Sequence, residues 1–390
     1  MKNNRTFLEK LLDGSEVEWK PLDEVANIVN NARKPVKSSS RVSGNIPYYG
    51  ANNIQDYVEG YTHEGEFVLI AEDGSASLEN YSIQWAVGKF WANNHVHVVN
   101  GKEKLNNRFL YHYLTNMNSI PFLAGKERAK LTKAKLQQIP IPIPPLSVQT
   151  EIVKILDALT ALTSELTSEL ILRQKQYEYY REKLLSEEEL GKVGFEWKTI
   201  DEISKKISSG GTPTTSNNGY YDNGTIPWLR TQEVDFKEIW DTNIKITEDA
   251  LNNSSAKWIP ANCVIVAMYG ATVGKTAINK IPLTTNQACA NIEINDKLAC
   301  YRYIFHYLTS KYEYIKSLGS GSQTNINAQI IKKLKVPVPP IEEQYRIVSI
   351  LDKFETLTNS ITEGLPLAIE QSQKRYEYYR ELLLNFPSRE

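Results

Sequence analysis

Two stretches of this chain are nearly identical: residues 174–182 read QKQYEYYRE, and residues 373–381 read QKRYEYYRE. Three further segments of the first half return in the second: EIVKILD (151–157) as RIVSILD (346–352), FLYHYL (109–114) as YIFHYL (303–308), and VEWKPLDEV (17–25) as FEWKTIDEI (195–203). The offsets between copies run from 178 to 199 residues, and those of 194 and 195 match half of the 390-residue chain. The sequence is therefore one unit written twice.

The two ends of the chain match the end of the repeated helix. EKLL at 9–12 repeats EKLL at 182–185, and the second copy ends in YYRELLLNF at 378–386. The N-terminus thus resumes the repeat where the C-terminus leaves it. We expect both termini to meet at one helix bundle, in a circular, pseudo-twofold molecule.

Each copy ends in a helical segment that follows a Pro-Pro pair, Pro144-Pro145 or Pro339-Pro340. Apolar residues then recur at steps of three and four, which is the helical period. In the first copy these residues are Ile152, Ile155, Leu156, Leu159, Leu162, Leu166 and Leu170. A helix over 147–186 would extend roughly 60 Å. We expect the two helical segments to pair as an antiparallel coiled coil that spaces two mixed domains.

The two helical segments differ at one place. The interval from Asp352 to Tyr376 is four residues longer than that from Asp157 to Tyr177. The first segment carries a four-residue reiteration, TSEL-TSEL at 163–170, which has either a spacing function or no meaning beyond a helical stripe. In the second segment Gly364 and Pro366 predict a kink or break.

The rest of each copy mixes strand-like runs, such as FVLIA (67–71) and CVIVAM (263–268), with loops rich in Gly, Asn, Ser and Thr. We therefore predict an α+β (mixed α/β) fold. The predicted parts are an N-terminal segment that completes the helix bundle (1–15), a first mixed domain (16–145), a central helical spacer (146–190), a second mixed domain (191–340) and a C-terminal helical spacer (341–390).

Composition excludes several classes of protein. Apolar residues make up 41% and charged residues 23%, which is ordinary for a globular protein. The sequence has no run of 18 apolar residues, so no membrane span is predicted, and the N-terminus does not resemble a signal peptide. The three cysteines form no CxxC pair, which favours a cytoplasmic protein without zinc or disulfides. Taken alone, the net charge of −1 argues weakly against nucleic-acid binding, but this whole-chain value hides local clusters of basic residues.

Catalytic motifs are missing. The nearest is the run Gly270-Ala-Thr-Val-Gly274-Lys275-Thr276, which has three residues before its GK pair where a phosphate-binding P-loop has four. Strand-like sequence follows it, so a glycine hairpin is favoured over a nucleotide site. His95 and His97 lie two residues apart with no third metal ligand at a persuasive spacing, so we predict packed or hydrogen-bonded histidines and no metal.

Basic residues cluster in the mixed domains. Residues 30–45 hold four cations and no acid, and residues 126–135 hold five cations against Glu127. The second half has polar loops at 208–215 and 317–327. Such loops suit phosphate contacts and base reading, although they are equally typical of ordinary solvated loops. Two readers at a fixed spacing match two half-sites on a DNA duplex, so the duplication favours the first interpretation.

The chain resembles type I restriction-modification specificity subunits, in particular the IC class. The resemblance rests on the two variable domains, the two helices ending in the QYEYYRE-type motif, the TSEL reiteration and the circular repeat. The loop Gly211-Thr212-Pro213, the IPW run at 226–228 and TNQACA at 285–290 also resemble the recognition domains of that family. The first half departs from these loops, with DGSAS and NNHVH instead, which indicates a different half-site.

The resemblance implies a non-catalytic protein with two target recognition domains, each reading one half of a split, asymmetric site on double-stranded DNA. Its helices would dock two methyltransferase (M) subunits, which bind S-adenosylmethionine and methylate adenine N6. Two restriction (R) subunits would add translocation and cleavage that use ATP and Mg. No cofactor, metal or membrane is expected for this chain itself.

By analogy, DNA-contacting residues are predicted in the loops of both halves: Arg33, Lys34, Lys37, Arg41, Asn94, Lys126, Arg128, Lys130, Thr212, Thr214, Arg230, Tyr269, Lys275, Asn286, Gln287, Gln323 and Asn325. The predicted partner-binding residues lie at the ends of the two helices: Tyr177, Tyr180, Arg181, Tyr376, Tyr379 and Arg380. Core packing is an equal alternative for the tyrosines. The alternative functions are a coiled-coil scaffold and a nucleotide-binding enzyme that uses the Gly270–Lys275 loop.

Overall fold

The computed structural model describes residues 6–125, 129–319 and 325–387. The chain divides into two compact units, each with its own cores. Unit 1 consists of Met1–Thr167 with Ala368–Glu390, and unit 2 consists of Ser168–Leu367. No helix in the described part of the chain is long and apolar enough to cross a membrane.

Unit 1 begins with a short helix and then alternates strands and helices. Its elements before the first long helix are α1 (Phe7–Leu12), β1 (Glu18–Pro21), α2 (Leu22–Val25), β2 (Ala26–Ile28), β3 (Ser43–Tyr49), β4 (Ile54–Val58), β5 (His63–Ala71), β6 (Ile83–Ala92), β7 (Val96–Gly101), α3 (Asn107–Asn116), α4 (Lys133–Gln137) and β8 (Pro140–Ile143). Six strands form one sheet in the order β2-β7-β5-β6-β3-β4, and β1 pairs with β8.

The long helix α5 (Leu146–Leu184) follows β8 and contributes residues to both units. The elements of unit 2 after it are α6 (Glu187–Gly191), β9 (Glu196–Thr199), β10 (Ser204–Ser209), β11 (Ile226–Leu229), β12 (Lys237–Ile239), β13 (Lys245–Ile246), α7 (Glu248–Asn252), β14 (Trp258–Ile259), β15 (Val264–Ala267), β16 (Thr276–Asn279), β17 (Leu283–Thr285), β18 (Cys289–Ile294), α8 (Tyr301–Ser310), α9 (Tyr312–Ser317), α10 (Ala328–Lys333) and β19 (Lys335–Val338). They form sheets in the orders β10-β18-β15-β16-β12, β13-β11-β17-β14 and β19-β9.

The second helical segment is broken, as Gly364 and Pro366 predict. It consists of α11 (Ile341–Asn359) and α12 (Gly364–Leu384). Gly364 has a φ of +82°, and a Cβ there would lie 2.6 Å from the carbonyl oxygen of Thr356. Only glycine therefore fits this corner without strain. The first helix, by contrast, continues through the whole TSEL-TSEL reiteration.

Helix pairing is antiparallel within each unit. In unit 1 the start of α5 shares a core with the end of α12, which includes Leu383 and Leu384, and Thr163 hydrogen-bonds Ser372. In unit 2 the end of α5 packs on α11, where Tyr180 stacks on Phe354. These contacts arise because the apolar stripe of each helix must be buried against another element.

The N- and C-terminal segments meet in unit 1. Leu8 and Leu12 of α1 share one buried cluster with Leu384 and Phe386. Phe386 also packs edge-on against Phe109 of α3. The contacts agree with the circular order expected from the repeated EKLL motif, and the helices and strands confirm the mixed fold class. The five predicted part boundaries stay predictions.

Candidate nucleic-acid interface

Five loops of unit 2 come together at one edge of its sheets, and hydrogen bonds hold them in place. The amide of Gly211 donates to the carbonyl of Thr285 at 2.9 Å, and the indole of Trp228 donates to the carbonyl of Gly211 at 3.0 Å. A Cβ at Gly211 would lie 2.4 Å from the backbone of Ser255, so the Gly-Thr-Pro loop needs this glycine. The tight approach presents Thr212 and Thr214 as exposed side chains.

The TNQACA segment lies beside that loop. The Thr212 hydroxyl donates to the side-chain oxygen of Gln287, and both residues are exposed. Asn286 instead braces its own turn, because its Oδ1 accepts from the amide of Ala288 at 3.2 Å. Its backbone amide also donates to Leu229. Gln287 and Thr212 are thus placed to read a ligand, whereas the Asn286 side chain has a structural task.

Two predicted residues of this surface carry buried polar atoms that lack a hydrogen-bond partner among the described residues: Nε of Arg230 and Oδ1 of Asn325. Arg230 precedes the turn that holds Thr231, whose carbonyl accepts from the Thr272 hydroxyl at 2.7 Å. Asn325 is next to Ile326, whose amide donates to Met268 at 3.0 Å. Both atoms are buried, so any contact of these two residues with DNA stays a prediction.

The glycine run at 270–276 is a loop between two antiparallel strands, β15 and β16. Thr276 begins a strand, so no helix N-terminus is available to cap a phosphate. Lys275 instead pairs with Asp235 at 2.6 Å. Tyr269, at the start of the loop, is 38% exposed. The hairpin interpretation is confirmed, and nothing in the loop favours the alternative of a nucleotide-binding enzyme.

In unit 1 the predicted residue Arg33 is tied into the protein. Its Nη1 lies 2.7 Å from a carboxylate oxygen of Glu72 and also donates to the carbonyls of Asn94 and Val96. The side chain is only 17% exposed. Arg33 thus fixes the loop that presents Asn94, and its predicted contact with DNA stays a prediction.

Asn94 and Lys130 remain accessible near Arg33. The Asn94 side chain is exposed and forms no hydrogen bond within the described residues, whereas its neighbour Asn93 is buried. Lys130 lies 3.0 Å from Asp73, which also bonds Nδ1 of His95 at 2.5 Å. Burial raises the pKa of Asp73, but its hydrogen bonds with His95 and Lys130 outweigh this effect and lower the pKa overall. Lys130 is half exposed and able to reach a phosphate.

A small pocket of about 290 Å³ adjoins this surface and includes Lys34 and Arg41. The Arg41 guanidinium lies 4.1 Å from the centre of the Tyr48 ring, and Tyr48 stacks on Trp91. The Trp91 indole donates to the carbonyl of Lys34 at 2.7 Å. Arg41 is thereby positioned, and the exposed side chains of Lys34 and Lys37 stand free of ion pairs in the described residues.

Three predicted DNA-contacting residues lie outside the described residues: Lys126, Arg128 and Gln323. The others fall into one loop surface in each unit: the surface around Arg33 and Asn94 in unit 1, and the surface around Thr212 and Gln287 in unit 2.

The comparisons with known proteins now decide the family. A family model, the type I restriction modification DNA specificity domain, matches residues 14–173 and again 192–371. The chain belongs to this specificity family. The double match also agrees with the duplication inferred from the repeats.

Curated relatives extend this result to nearly the whole specificity subunit. A Haemophilus influenzae protein assigned to the type I restriction enzyme specificity subunits is 64% identical over 99% of this chain and 100% of its own length. The EcoR124I/EcoR124II specificity subunit of Escherichia coli is 38% identical over 99% of this chain and 98% of its own. These relatives are recognition components, which confirms that the subunit is non-catalytic.

Solved structures show the same fold at low sequence identity. The S subunit of a type I system from M. genitalium aligns with a TM-score of 0.61 at 14% identity, covering 100% of this subunit and 99% of that chain. The HsdS subunit of Thermoanaerobacter tengcongensis aligns with a TM-score of 0.50 at 18% identity, covering 94% of each.

Sequence reasoning missed a clamp that the specificity subunit uses twice. In unit 1, Asp157 of α5 accepts from Arg108 and from Nε2 of His112, each at 2.8 Å. Burial lowers the pKa of His112, although Asp157 opposes this shift. The His112 ring is therefore neutral at pH 7, with its Nε2–H donating to the carboxylate. The paired histidines of the FLYHYL and YIFHYL motifs could have revealed this clamp.

The clamp of unit 2 has the same three residue types and two more carboxylates, since Arg302 also bonds Glu355 and, at 3.0 Å, Glu238. Asp352 accepts from Arg302 at 2.8 Å and from His306 at 2.7 Å, and Glu355 lies 2.6 Å from Arg302. Burial raises the pKa of Glu355, and Arg302 counteracts it. His306, Asp352 and Glu355 form a group that could in principle hold a metal, but the guanidinium already occupies their carboxylates.

A second joint missed by sequence reasoning is a buried glutamine in each unit. In unit 1, Oε1 of Gln149 accepts from the amide of Asn106 at 2.8 Å, and its Nε2 donates to the carbonyls of Lys104 and Pro144. In unit 2, Gln344 accepts from Cys300 and donates to Pro339, each at 2.8 Å. Each glutamine fixes the start of α3 or α8 to the Pro-Pro turn.

The predicted partner-binding tyrosines divide into packed and exposed members. Tyr177 and Tyr376 pack against the cores of their units, and burial raises the pKa of Tyr177 to about 12. Their neighbours Arg181 and Arg380 lie over these rings. Tyr379 contacts Phe7, whereas Tyr180 is 41% exposed. The structure thus favours core packing for Tyr177 and Tyr376.

Two exposed tyrosines of the same motifs were not predicted as partner-binding. Tyr179 is 57% exposed and Tyr378 is 60% exposed. They occupy equivalent positions of the two YEYYRE segments. Exposure of the same tyrosine is thus a feature that both copies of the motif share.

Proposed function

We propose that each unit of this specificity subunit reads one half of a bipartite, asymmetric DNA target. One observation carries this proposal. The aspartate clamps and buried glutamines of the two units match, while the loop surfaces differ in sequence and chemistry. A duplicated scaffold with unlike loops suits two different half-sites held at one spacing.

The loop surface of unit 2 supplies base-reading groups. The exposed pair of Thr212 and Gln287 offers an amide and a hydroxyl that can hydrogen-bond base edges in the major groove. Arg230, which is partly exposed, carries a guanidinium that suits the acceptors of guanine. Lys275 and Tyr269 border this group and are suited to phosphate and sugar contacts.

The loop surface of unit 1 offers a different set. Asn94 presents a free amide, which suits adenine. Lys34, Lys37 and Lys130 lie on the same side, where exposed ammonium groups suit phosphates. Arg33 and Arg41 act behind them by fixing the loops.

The helices would set the spacer and dock the partner subunits. On this proposal two M subunits, with S-adenosylmethionine, methylate adenine, and two R subunits use ATP and Mg for restriction against foreign DNA such as that of phages. The chain itself binds none of these cofactors, and it acts in the cytoplasm. The exposed Tyr179 and Tyr378, together with Tyr180, support docking at the helix ends.

A methylation map tests the proposal. The subunit is co-expressed with its methyltransferase partner, and N6-methyladenine is located by single-molecule sequencing of host DNA. We expect one split motif with a fixed spacer. Changing Thr212 and Gln287 to alanine should relax or abolish recognition in one half of the motif and leave the other half intact. The matched control is Lys205→Ala, at the far end of β10 from this loop.

Loss of both halves together by the double variant, with Lys205→Ala unchanged, would contradict independent reading by the two units. An unaltered motif would remove Thr212 and Gln287 from the reading surface.

The spacer proposal has its own test. Inserting one further TSEL unit after 170 adds about 6 Å of helix, or close to two base pairs of DNA. We expect the same two half-sites at a longer spacing. Methylation restricted to the original spacing would show that α5 does not measure the target.

A further inference from the structure

Each unit has a groove beside a two-stranded pair, β1–β8 in unit 1 and β9–β19 in unit 2. The two grooves differ in what fills them. In unit 1 this groove includes Trp19, Tyr113 and Met117, and the C-terminal segment of the chain lies in it. Phe386 of that segment is 5% exposed, and the Trp19 indole donates to the carbonyl of Pro387 at 3.0 Å. Unit 1 thus buries an extended peptide against its groove.

The corresponding groove of unit 2 is larger and is not covered by any described segment. Trp197 occupies the position of Trp19, since each tryptophan faces a proline of the paired strand. Tyr307 occupies the position of Tyr113, since both follow the histidine of the repeated helical motif. The space is about 850 Å³, against about 330 Å³ in unit 1.

The unit 2 groove also has a free donor and exposed rings. Trp197 is 44% exposed, and its indole N–H has no hydrogen-bond partner among the described residues. Tyr314 is 57% exposed beside the buried Ile315. A tryptophan and a tyrosine with apolar faces and free polar edges are the residue types that anchor partner chains.

Charge separates the two grooves further. Three exposed lysines line the unit 2 groove, Lys311, Lys333 and Lys335, and none forms an ion pair with another described residue. Lys311 replaces Met117 of unit 1. Glu187 lies close enough to Tyr307 to contribute, with burial as the main cause, to the pKa of that phenol being raised to about 12. The rim is nevertheless basic, with three lysines against this one acid.

We propose that the unit 2 groove binds a short extended peptide segment of a partner protein, with an aromatic or aliphatic anchor followed by acidic residues. The anchor takes the place that Phe386 has in unit 1, a main-chain carbonyl accepts from Trp197, and the acids face the three lysines. The internal precedent is the C-terminal segment itself, which the same scaffold binds through the same two contacts.

An acidic peptide fits this groove better than DNA does. The lining is largely apolar, with Leu308, Ile315, Leu318 and Leu334 at its base. A duplex backbone would satisfy the lysines but leave these apolar side chains and the indole N–H unused. Specific DNA surfaces are polar and wet, whereas peptide anchors insert into apolar pockets.

The test uses a fluorescein-labelled peptide, Glu-Leu-Leu-Asn-Phe-Pro-Glu-Glu-Glu, titrated with the full-length chain and followed by fluorescence anisotropy. Its apolar part copies the segment bound in unit 1. We expect saturable binding that weakens with salt, because the lysine–glutamate contacts are exposed. A peptide with lysines in place of the glutamates, and another with serine in place of phenylalanine, should each bind about tenfold more weakly.

Groove variants then locate the site. Tyr314→Ser, and separately the pair Lys333→Glu and Lys335→Glu, should each weaken binding about tenfold. Leu298→Ser and Lys297→Glu, exposed changes elsewhere in unit 2, are the matched controls and should bind as the parent does. Circular dichroism establishes that each variant is folded.

Several results would overturn the proposal. These are no saturable binding up to millimolar peptide, equal binding of the acidic and basic peptides, or equal loss in the control variants. Displacement of the peptide by a non-specific DNA duplex, with the lysine variants losing DNA affinity in parallel, would assign the lysines to DNA instead. Binding that appears only after removal of 385–387 would place the peptide in unit 1.

Discussion

The two units use the same joints and carry different loops. Gln149 and Gln344 tie each recognition-domain helix to a Pro-Pro turn, and Asp157 and Asp352 clamp the same helix to a spacer helix. The loops beyond the sheets share almost none of their side chains. The difference shows that the scaffold is fixed at buried polar joints, while the reading surface varies without disturbing them.

The largest effect is expected at the glutamine joints. Gln149→Leu leaves three groups without their partner, the part-buried Asn106 amide and Lys104 carbonyl and the buried Pro144 carbonyl, whereas Gln344→Leu leaves one buried amide and one buried carbonyl. Because each orphaned group costs about 1–3 kcal/mol, we expect unit 1 to lose about 4 kcal/mol and unit 2 about 2–3 kcal/mol. Hydrogen exchange followed by mass spectrometry measures the loss in each unit separately.

The other unit of each variant is the control in the same sample. Equal loss of protection in both units would mean that the joints are not independent. Unchanged protection in the targeted unit would mean that the glutamine is dispensable.

The ratio between the stability losses of unit 1 and unit 2 should be larger for substitutions of the clamp aspartates than for substitutions of the glutamines. Asp157→Ala removes the only carboxylate that Arg108 and His112 have among the described residues. After Asp352→Ala, Arg302 still has two carboxylate partners, Glu355 and Glu238. Because these carboxylates are more than a third exposed, we expect losses of about 2 kcal/mol in unit 1 and about 1 kcal/mol in unit 2.

Urea titration monitored by hydrogen exchange provides the measurement for the clamps. Asp157→Asn should recover part of the loss, because its amide oxygen still accepts from Arg108. An equal loss from both aspartate variants would show that Glu355 does not compensate.

The C-terminal segment gives unit 1 a contact that unit 2 lacks. Phe386→Ala removes a ring that packs on Phe109, and the neighbouring Pro387 would lose its place beside Trp19. Substitution of a core phenylalanine costs 3–5 kcal/mol, and the end of the chain relaxes more easily, so we expect about 2 kcal/mol. Exchange protection of α1 and α3 should fall while unit 2 is unaffected. Protection that falls equally in unit 2 would contradict this local role.

The sequence predicted the duplication, the helices and the circular order because they rest on local patterns. The apolar period of three and four residues specifies α5, and Gly364 with Pro366 specifies the break. The resemblance to the family likewise rested on whole motifs, several of which recur in both halves. These signals need no knowledge of which loops meet in space.

The task of each loop residue could not be predicted, because it depends on neighbours distant in sequence. Arg33 lies in a run of sequence without acids, yet it pairs with Glu72, which is 39 positions away in the chain. Asn286 and Gln287 were equivalent in sequence, but only the first braces its turn. Tyr179 and Tyr378 resembled their packed neighbours until burial separated them.

Mild acid should also distinguish the units. Burial lowers the pKa of His63, His97 and His112, all of which lie in unit 1. A histidine with a lowered folded-state pKa contributes full stability above its unfolded pKa of about 6.5, and this stability is lost as the pH falls below it. Between pH 7.5 and pH 5.5, exchange protection should therefore fall in unit 1 first. After correction for intrinsic exchange rates, an earlier loss in unit 2 would contradict the prediction.

The smallest effect on stability is expected at the exposed tyrosines. Tyr179→Ser and Tyr378→Ser should each change the free energy of unfolding by less than about 0.5 kcal/mol, because neither ring is packed in its core. If these rings dock methyltransferase subunits, each variant should nevertheless retain less of that partner in pull-down, with Tyr57→Ser in β4, 53% exposed in the parent, as the matched control. Full retention by both variants would remove the tyrosines from the docking surface. Loss by Tyr179→Ser alone would show that the two copies of the motif, alike in sequence and exposure, are not used alike.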